Sequence, residues 1–166
     1  MSFRYLVLAI ALAPLGGCAT GFSAGQAAEL CPVVTISKAD KGFTGYPGGA
    51  PGRSKLDYNH ISVITAAAAQ CRDNGQGVLV ADVTIQYAVE SGTLYRGSAE
   101  NTVYAATTRN AGEPLRRATS SRTVTPAAGG KAQSYGDIVR DLVVGAGEEL
   151  EAGDLVIVVG FDKPAP

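Results

Sequence analysis

The sequence predicts an all-β domain, an antiparallel β-sandwich of about seven strands. Three observations carry that expectation. β-branched and apolar residues recur in short runs, separated at short spacing by Gly, Asn, Asp and Pro, the residues that terminate strands and build turns. One run, Val78 to Glu90, alternates apolar and polar side chains, as a strand with one buried and one wet face must. No long stretch carries the apolar period of a helix.

Taken in order, Cys31 to Ser37 (CPVVTIS) reads as a first strand, and Pro32 near its start assigns it to a sheet edge. Lys38 to Leu56 holds five glycines and two prolines and has no pattern of its own. Loops of that length are uncommon and often functional; Phe43 and Tyr46 are its notable side chains. Asn59 to Cys71 (NHISVITAAAAQC) reads as a strand with Ile61, Val63, Thr65, Ala67, Ala69 and Cys71 on one face. The alanine run leaves a short helix over residues 62–71 as the alternative. The turn signal Asp73-Asn74-Gly75 then leads into Val78 to Glu90, which buries Leu79, Ala81, Val83, Ile85, Tyr87 and Val89. These two segments should form a hairpin.

Glu100 to Arg109 and Leu115 to Thr125 are two further strands joined by Asn110-Ala111-Gly112. Tyr135 to Val144 favours strand over helix. Glu148 to Asp154 is an acidic turn. Leu155 to Phe161 (LVIVVGF) is apolar on both sides and therefore central. Short strands with turns between them match the architecture of immunoglobulin- and fibronectin-like sandwiches. The chain has no tryptophan, so it lacks the buried-tryptophan signature of antibody-type domains. A small β-barrel is the second choice.

Composition narrows the class of function. The 166 residues are 46% hydrophobic, which excludes wholesale disorder, and the formal net charge of −1 argues against nucleic-acid binding.

The first twenty residues, MSFRYLVLAIALAPLGGCAT, form an export address: Arg4, an apolar run from Tyr5 to Ala13, then small residues. The apolar run is about half of the ~20 residues a membrane-spanning helix needs. Leu15-Gly16-Gly17-Cys18 resembles the lipobox of bacterial lipoproteins. That resemblance implies residues 1–17 as a signal peptide, lipidation and cleavage at Cys18, and a multi-chain anchor. Ala19 in place of aspartate resembles cargo sorted to the outer membrane. Residues 18–30 then read as a lipidated N-terminus and flexible tether, residues 31–163 as the domain and 164–166 as a tail. Cys31-Pro32-Val33, a second cysteine forty residues on, Asp82-Val83-Thr84 and Val158-Val159-Gly160-Phe161-Asp162 together resemble a group of uncharacterised α-proteobacterial lipoproteins. That group often carries Gly-Pro after its long third strand, where this chain has Glu90-Ser91-Gly92-Thr93.

With Cys18 assigned to lipid, the other two of the three cysteines, Cys31 and Cys71, are expected to form a disulfide in an oxidising compartment.

Catalytic and metal signatures are not found. His60 is the single histidine; Asp57 and Ser62 near it in sequence are ordinary neighbours, and a strand-edge histidine is the simpler explanation. Two isolated cysteines and one distant histidine lack zinc-ligand spacing. There is no Gly-x-Ser-x-Gly elbow, Gly45-Tyr46-Pro47-Gly48-Gly49 lacks the Gly-Lys-Ser/Thr of a phosphate loop, and Asp73-Asn74-Gly75-Gln76 lacks a calcium-loop ladder. No cofactor is expected.

One charge asymmetry remains. Residues 109–131 hold five bases (Arg109, Arg116, Arg117, Arg122, Lys131) and one acid, whereas residues 137–154 hold six acids and one base. Pairing of Leu115–Thr125 with Tyr135–Val144 in one sheet would neutralise both. Otherwise Arg116, Arg117 and Arg122 form a basic patch for an anionic partner. The resulting expectation is a non-catalytic structural or interaction module, lipid-anchored at the periplasmic face of the outer membrane, with other envelope proteins as partners. The alternative is a peptidoglycan- or polysaccharide-binding module that uses Tyr46 and its loop.

Overall fold

The computed structural model describes residues 23–47, 57–110, 112–127, 129–151 and 153–163. The expected signal segment, Cys18, most of the glycine-rich stretch after Pro47 and the tail 164–166 lie outside them. The elements are α1 (Ala24–Glu29), β1 (Val33–Ile36), β2 (Gly42–Gly45), β3 (His60–Asp73), β4 (Val78–Ser91), β5 (Ala99–Arg109), β6 (Pro114–Val124), β7 (Gln133–Ala146), α2 (Glu148–Glu151) and β8 (Leu155–Phe161).

Two four-stranded sheets face each other, ordered β1-β8-β5-β6 and β2-β3-β4-β7. This is the expected all-β sandwich, with eight strands because β2 forms inside the glycine-rich loop. All ladders are antiparallel except β1 with β8. β5, β6 and β7 are consecutive neighbours around the sandwich and β8 returns beside β5, the order of a Greek key. β1 is an edge strand and β8 a central one, as their sequences imply.

β3 and β4 form the expected hairpin, and the alanine run is strand throughout. Every inward position named in β4, from Leu79 to Val89, is fully buried. β3 departs from its expected face. A bulge between Ile64 and Ala66 inserts Thr65, whose hydroxyl donates to the Gln86 carbonyl at 3.2 Å. Because side chains alternate with period 2, one extra residue exchanges faces. His60, Ser62 and Ile64 therefore point inward ahead of the bulge, and Ala67, Ala69 and Cys71 pack against the core beyond it. Val63, expected on one face with Ala67, Ala69 and Cys71, lies on the other and is 37% exposed. β7 bulges likewise opposite Ala81 to Val83. There Asp141 adopts φ 53°, a left-handed conformation that aspartate tolerates better than most residues, and its N–H donates to Asp82.

The expected pairing of Leu115–Thr125 with Tyr135–Val144 does not occur: β6 belongs to one sheet and β7 to the other. β6 is already hydrogen-bonded to β5 and β7 to β4, so the two meet as facing sheet edges at one flank of the sandwich.

The expected tether also ends earlier than its sequence suggests. Residues 23–30 are folded. Ser23 and Gln26 form a reciprocal capping box, with the Gln26 N–H donating to Ser23 Oγ and the Ser23 N–H donating to Gln26 Oε1. This satisfies two otherwise orphan donors and orients Ala27 into the core, where it is 1% exposed. Two glycines hold close approaches. A Cβ on Gly45 would lie 2.2 Å from the His60 ring, and one on Gly160 would lie 2.6 Å from the Asp40 Cβ and 2.7 Å from the Tyr104 ring. Among the described residues no helix is long and apolar enough to cross a membrane.

Candidate functional site

Cys31 and Cys71 are joined by a disulfide across 40 residues of sequence, with Cα atoms 5.5 Å apart. The bridge ties the segment between α1 and β1 to the far half of β3. In the chain-entropy description, closing such a loop stabilises by roughly 4 kcal/mol.

The three arginines expected as a patch do not converge. In β6, Arg116 and Arg122 lie an even number of residues apart and project from the same side of the strand, toward the other sheet; Arg117 projects from the opposite side. Arg116 donates to both Glu149 carboxylate oxygens, at 3.2 and 2.9 Å, and to the Val144 carbonyl. Arg122 Nε donates to Asp137 at 2.7 Å. Arg117 donates to Asp162 at 2.8 Å, and its guanidinium lies 4.0 Å from the Tyr104 ring centroid. Each cation is thus matched to its own carboxylate. Neutralisation occurs as expected, but across sheets and through the turn helix instead of through a shared ladder. Tyr46 follows β2 and is half-buried.

The inward turn of His60 and Ser62 builds a buried polar cluster the sequence did not announce. His60, 3% exposed, and Ser62, 0% exposed, both bond Asn101 of β5. The Asn101 Nδ2 donates to Ser62 Oγ at 2.8 Å, so its Oδ1 is the acceptor for His60 Nε2 at 3.0 Å. That assigns the proton of the neutral imidazole to Nε2 and leaves His60 Nδ1 buried without a partner among the described residues. Burial holds the His60 pKa below its ordinary value, against the opposing bond to Asn101. Serine and histidine are each bonded to the asparagine and not to one another, so the pair is not a nucleophile–base couple. Beside it, the Tyr87 hydroxyl donates to Asp137 at 2.7 Å. Burial, then the bond to Asp137, raises the Tyr87 pKa. The Arg122–Asp137–Tyr87 chain carries charge from the surface into the core.

The outer face of the β8-β5-β6 sheet offers a more open arrangement. Tyr104 stands at its centre. Its hydroxyl donates to Asp40 at 2.8 Å, and Ser37 and Lys163 also bond that carboxylate. Burial alone would raise the Asp40 pKa; the bonds from Tyr104, Lys163 and Ser37 bring it below the usual range. The Lys163 ammonium is further held by the Ala39 carbonyl at 2.6 Å. The ridge Tyr104–Arg117–Asp162 separates two depressions along β5. One, of about 400 Å³, is lined by Phe43, Glu100, Thr102, Asp162 and Lys163. The other, of about 300 Å³, runs over Ala106, Thr108 and Val158 to Pro114. Of these residues only Phe43 and Arg117 stand out in the sequence. Tyr104, Asp40 and Lys163 are 64 or more positions from one or another partner and carry no local signal.

Among the described residues no group of three or more His, Cys, Asp or Glu side chains is placed to hold a metal. No family model, curated protein or solved structure matches the chain. Among its described residues the chain is a disulfide-linked, eight-stranded β-sandwich.

Proposed function

We propose that this chain is a lipid-anchored module of the bacterial envelope, held at the periplasmic face of the outer membrane through Cys18. It acts by binding other envelope components and not by catalysis. The observation that carries this reading is the Cys31–Cys71 bond. It leaves Cys18, within Leu15-Gly16-Gly17-Cys18, as the one cysteine of three outside a bridge, and it suits an oxidising compartment. Folding from Ser23 onward gives the anchor a short leash. Four residues lie between Cys18 and Ser23, and the five chain steps reach at most about 17 Å at full extension, so the α1 end of the domain stays near the bilayer. The test is membrane fractionation with intact-mass measurement. Cys18→Ser should release the protein from membranes with an unchanged melting temperature, and the native form should show cleavage before Cys18 plus acyl mass. An uncleaved, unmodified N-terminus would refute the proposal.

A second reading, glycan binding, is favoured by the two depressions on the outer sheet face. They combine an aromatic side chain, hydroxyls and carboxylates at one solvent-open surface. On this reading the candidate surface lies beside Phe43 and does not use Tyr46.

A further inference from the structure

We propose that the sandwich rests on the bilayer by the rim where its α1 end meets the outer face of the β1-β8-β5-β6 sheet, with Val33 and Leu115 entering the lipid interface. The inference rests on the anchored-module reading and goes further by naming the surface that meets the membrane.

Strand register builds the rim. Val33 of β1 pairs with Val156 of β8, Val156 with Thr108 of β5, and Thr108 with Pro114 of β6. One row therefore crosses all four strands, about 14 Å wide at ~4.8 Å per strand. Val33 and Val156 face outward, because Val34, Leu155 and Ile157, one position away, pack into the core. Thr108 adds no open hydroxyl to the row: it is 3% exposed and donates to the Val156 carbonyl at 3.4 Å. The register shifts between Thr107 and Thr108, which leaves Leu115 as the extra residue of β6 beside Pro114.

Apolar exposure is concentrated at this row. Val33 is 73% exposed and Leu115 47%, the two highest values among the exposed large apolar side chains. Such residues scattered singly are ordinary, but these two flank one row. Beside Val33 a depression of about 240 Å³ is lined by Leu30, Pro32, Leu150 and Leu155 among others. The apolar surface thus continues from the sheet onto the α1 end.

The occupant is set by the chain that leads to Cys18. Ser23 follows Cys18 by five chain steps, at most about 17 Å, and α1 passes directly into β1 through Cys31, which is itself fixed to Cys71. A lipid on Cys18 therefore holds Val33 and its row beside the bilayer, and not the far end of the sandwich. Charge decides the kind of contact. Arg109 pairs with Asp154 at 3.1 Å and Arg116 with Glu149 at 2.9 Å, so these cations are already matched and the contact is apolar, suited to a zwitterionic surface. A rim of two inserted side chains does not hold the chain without its anchor. It orients the domain, and turns the outer face of β2-β3-β4-β7 away from the lipid.

The chain has no tryptophan, so single tryptophans report their own surroundings. Val33→Trp, Leu115→Trp and, as control on the opposite sheet, Ile138→Trp are made in the full lipidated chain. All three sites are exposed, and each variant should keep the melting temperature of the parent. The chains are placed on vesicles of phosphatidylethanolamine and phosphatidylcholine brominated on its acyl chains. Emission of Val33→Trp and Leu115→Trp should shift to the blue and be quenched about threefold more than that of Ile138→Trp, as a side chain seated ~5–10 Å into the interface requires. Equal, weak quenching at all three sites, with acyl mass confirmed on Cys18, would overturn the rim and leave the anchor standing. A chain that carries no acyl mass and stays off the vesicles would overturn both. A blue shift at Val33→Trp and Leu115→Trp without bromine quenching would mean that protein covers the rim, a second copy first among the choices, and would also overturn the proposal.

Discussion

The two flanks of the sandwich are closed by different chemistry. On the flank of β1 and β2 the strands are only four residues each, leaving most of the fourteen-residue β3 without a strand beside it among the described residues. That gap is closed by α1, with Ala27 in the core, and by the Cys31–Cys71 bond. On the opposite flank β6 and β7 are long edges of different sheets, and polar side chains span them. Arg122 bonds Asp137, Arg116 bonds Glu149 and the Val144 carbonyl, and the Thr107 hydroxyl donates to the Val143 carbonyl at 2.9 Å. A covalent, apolar closure resists salt. A closure made of half-exposed ion pairs yields to it. The difference teaches that a sandwich with unequal strands needs a cross-link where its edge strands are short and only side-chain bridges where they are long.

The largest expected effect tests the covalent flank. Replacing both Cys31 and Cys71 with alanine should cost roughly 4 kcal/mol, seen as a lower urea midpoint, and high salt should not change that loss. A loss under about 1 kcal/mol would mean that α1 docking alone closes this side.

The ionic flank is tested next. Arg122→Met leaves Asp137, 4% exposed, with only Tyr87 as side-chain partner among the described residues. A buried acceptor stripped of a charged donor costs about 1–3 kcal/mol, measurable by chemical denaturation. If Arg122→Met is neutral, the bridge is dispensable and the comparison between flanks fails.

Acid probes the short-strand flank from inside. Because the folded-state pKa of His60 lies below the ordinary 6.5, the unfolded chain binds its proton first. This contribution to stability is complete above about 6.5 and is lost as pH falls from there toward the folded value. Hydrogen exchange at Gly42–Gly45, which lie against the ring, should accelerate over the same window. A melting temperature flat through it, or an identical slope in His60→Gln, would contradict this account.

The smallest effect belongs to Arg116 and Arg117. Changing either to glutamine removes a partly exposed pair and should cost about 0.2–1 kcal/mol, diminishing with salt. Binding to lipid A phosphate or acidic glycan should not change, since each guanidinium is already matched to a carboxylate. Loss of anion binding at unchanged stability would restore these arginines as a ligand patch.

Much of this architecture could be read before any coordinates. Alternation within a strand is a local property, so β4 and its six inward residues were legible, as was the apolar centre β8. The disulfide followed from counting cysteines once Cys18 was set aside. The candidate site was barely legible. Phe43 was visible as an aromatic in a glycine-rich loop, but Glu100 and Asp162 carry no local signal, and only the fold brings them to one depression. The capping box Ser23-x-x-Gln26 was a readable signal for α1, masked by the small, polar composition around it.

Strand identity and the cysteine pairing thus belong to the chain's local pattern and composition, because burial of one face requires a period of 2 and the chain has few cysteines to pair. The inward turn of His60, the allocation of β6 and β7 to opposite sheets and the separate carboxylate found by each arginine belong to the tertiary structure. A single bulge residue at Thr65 reverses every side chain before it, and only packing of the two sheets decides where that bulge lowers the energy.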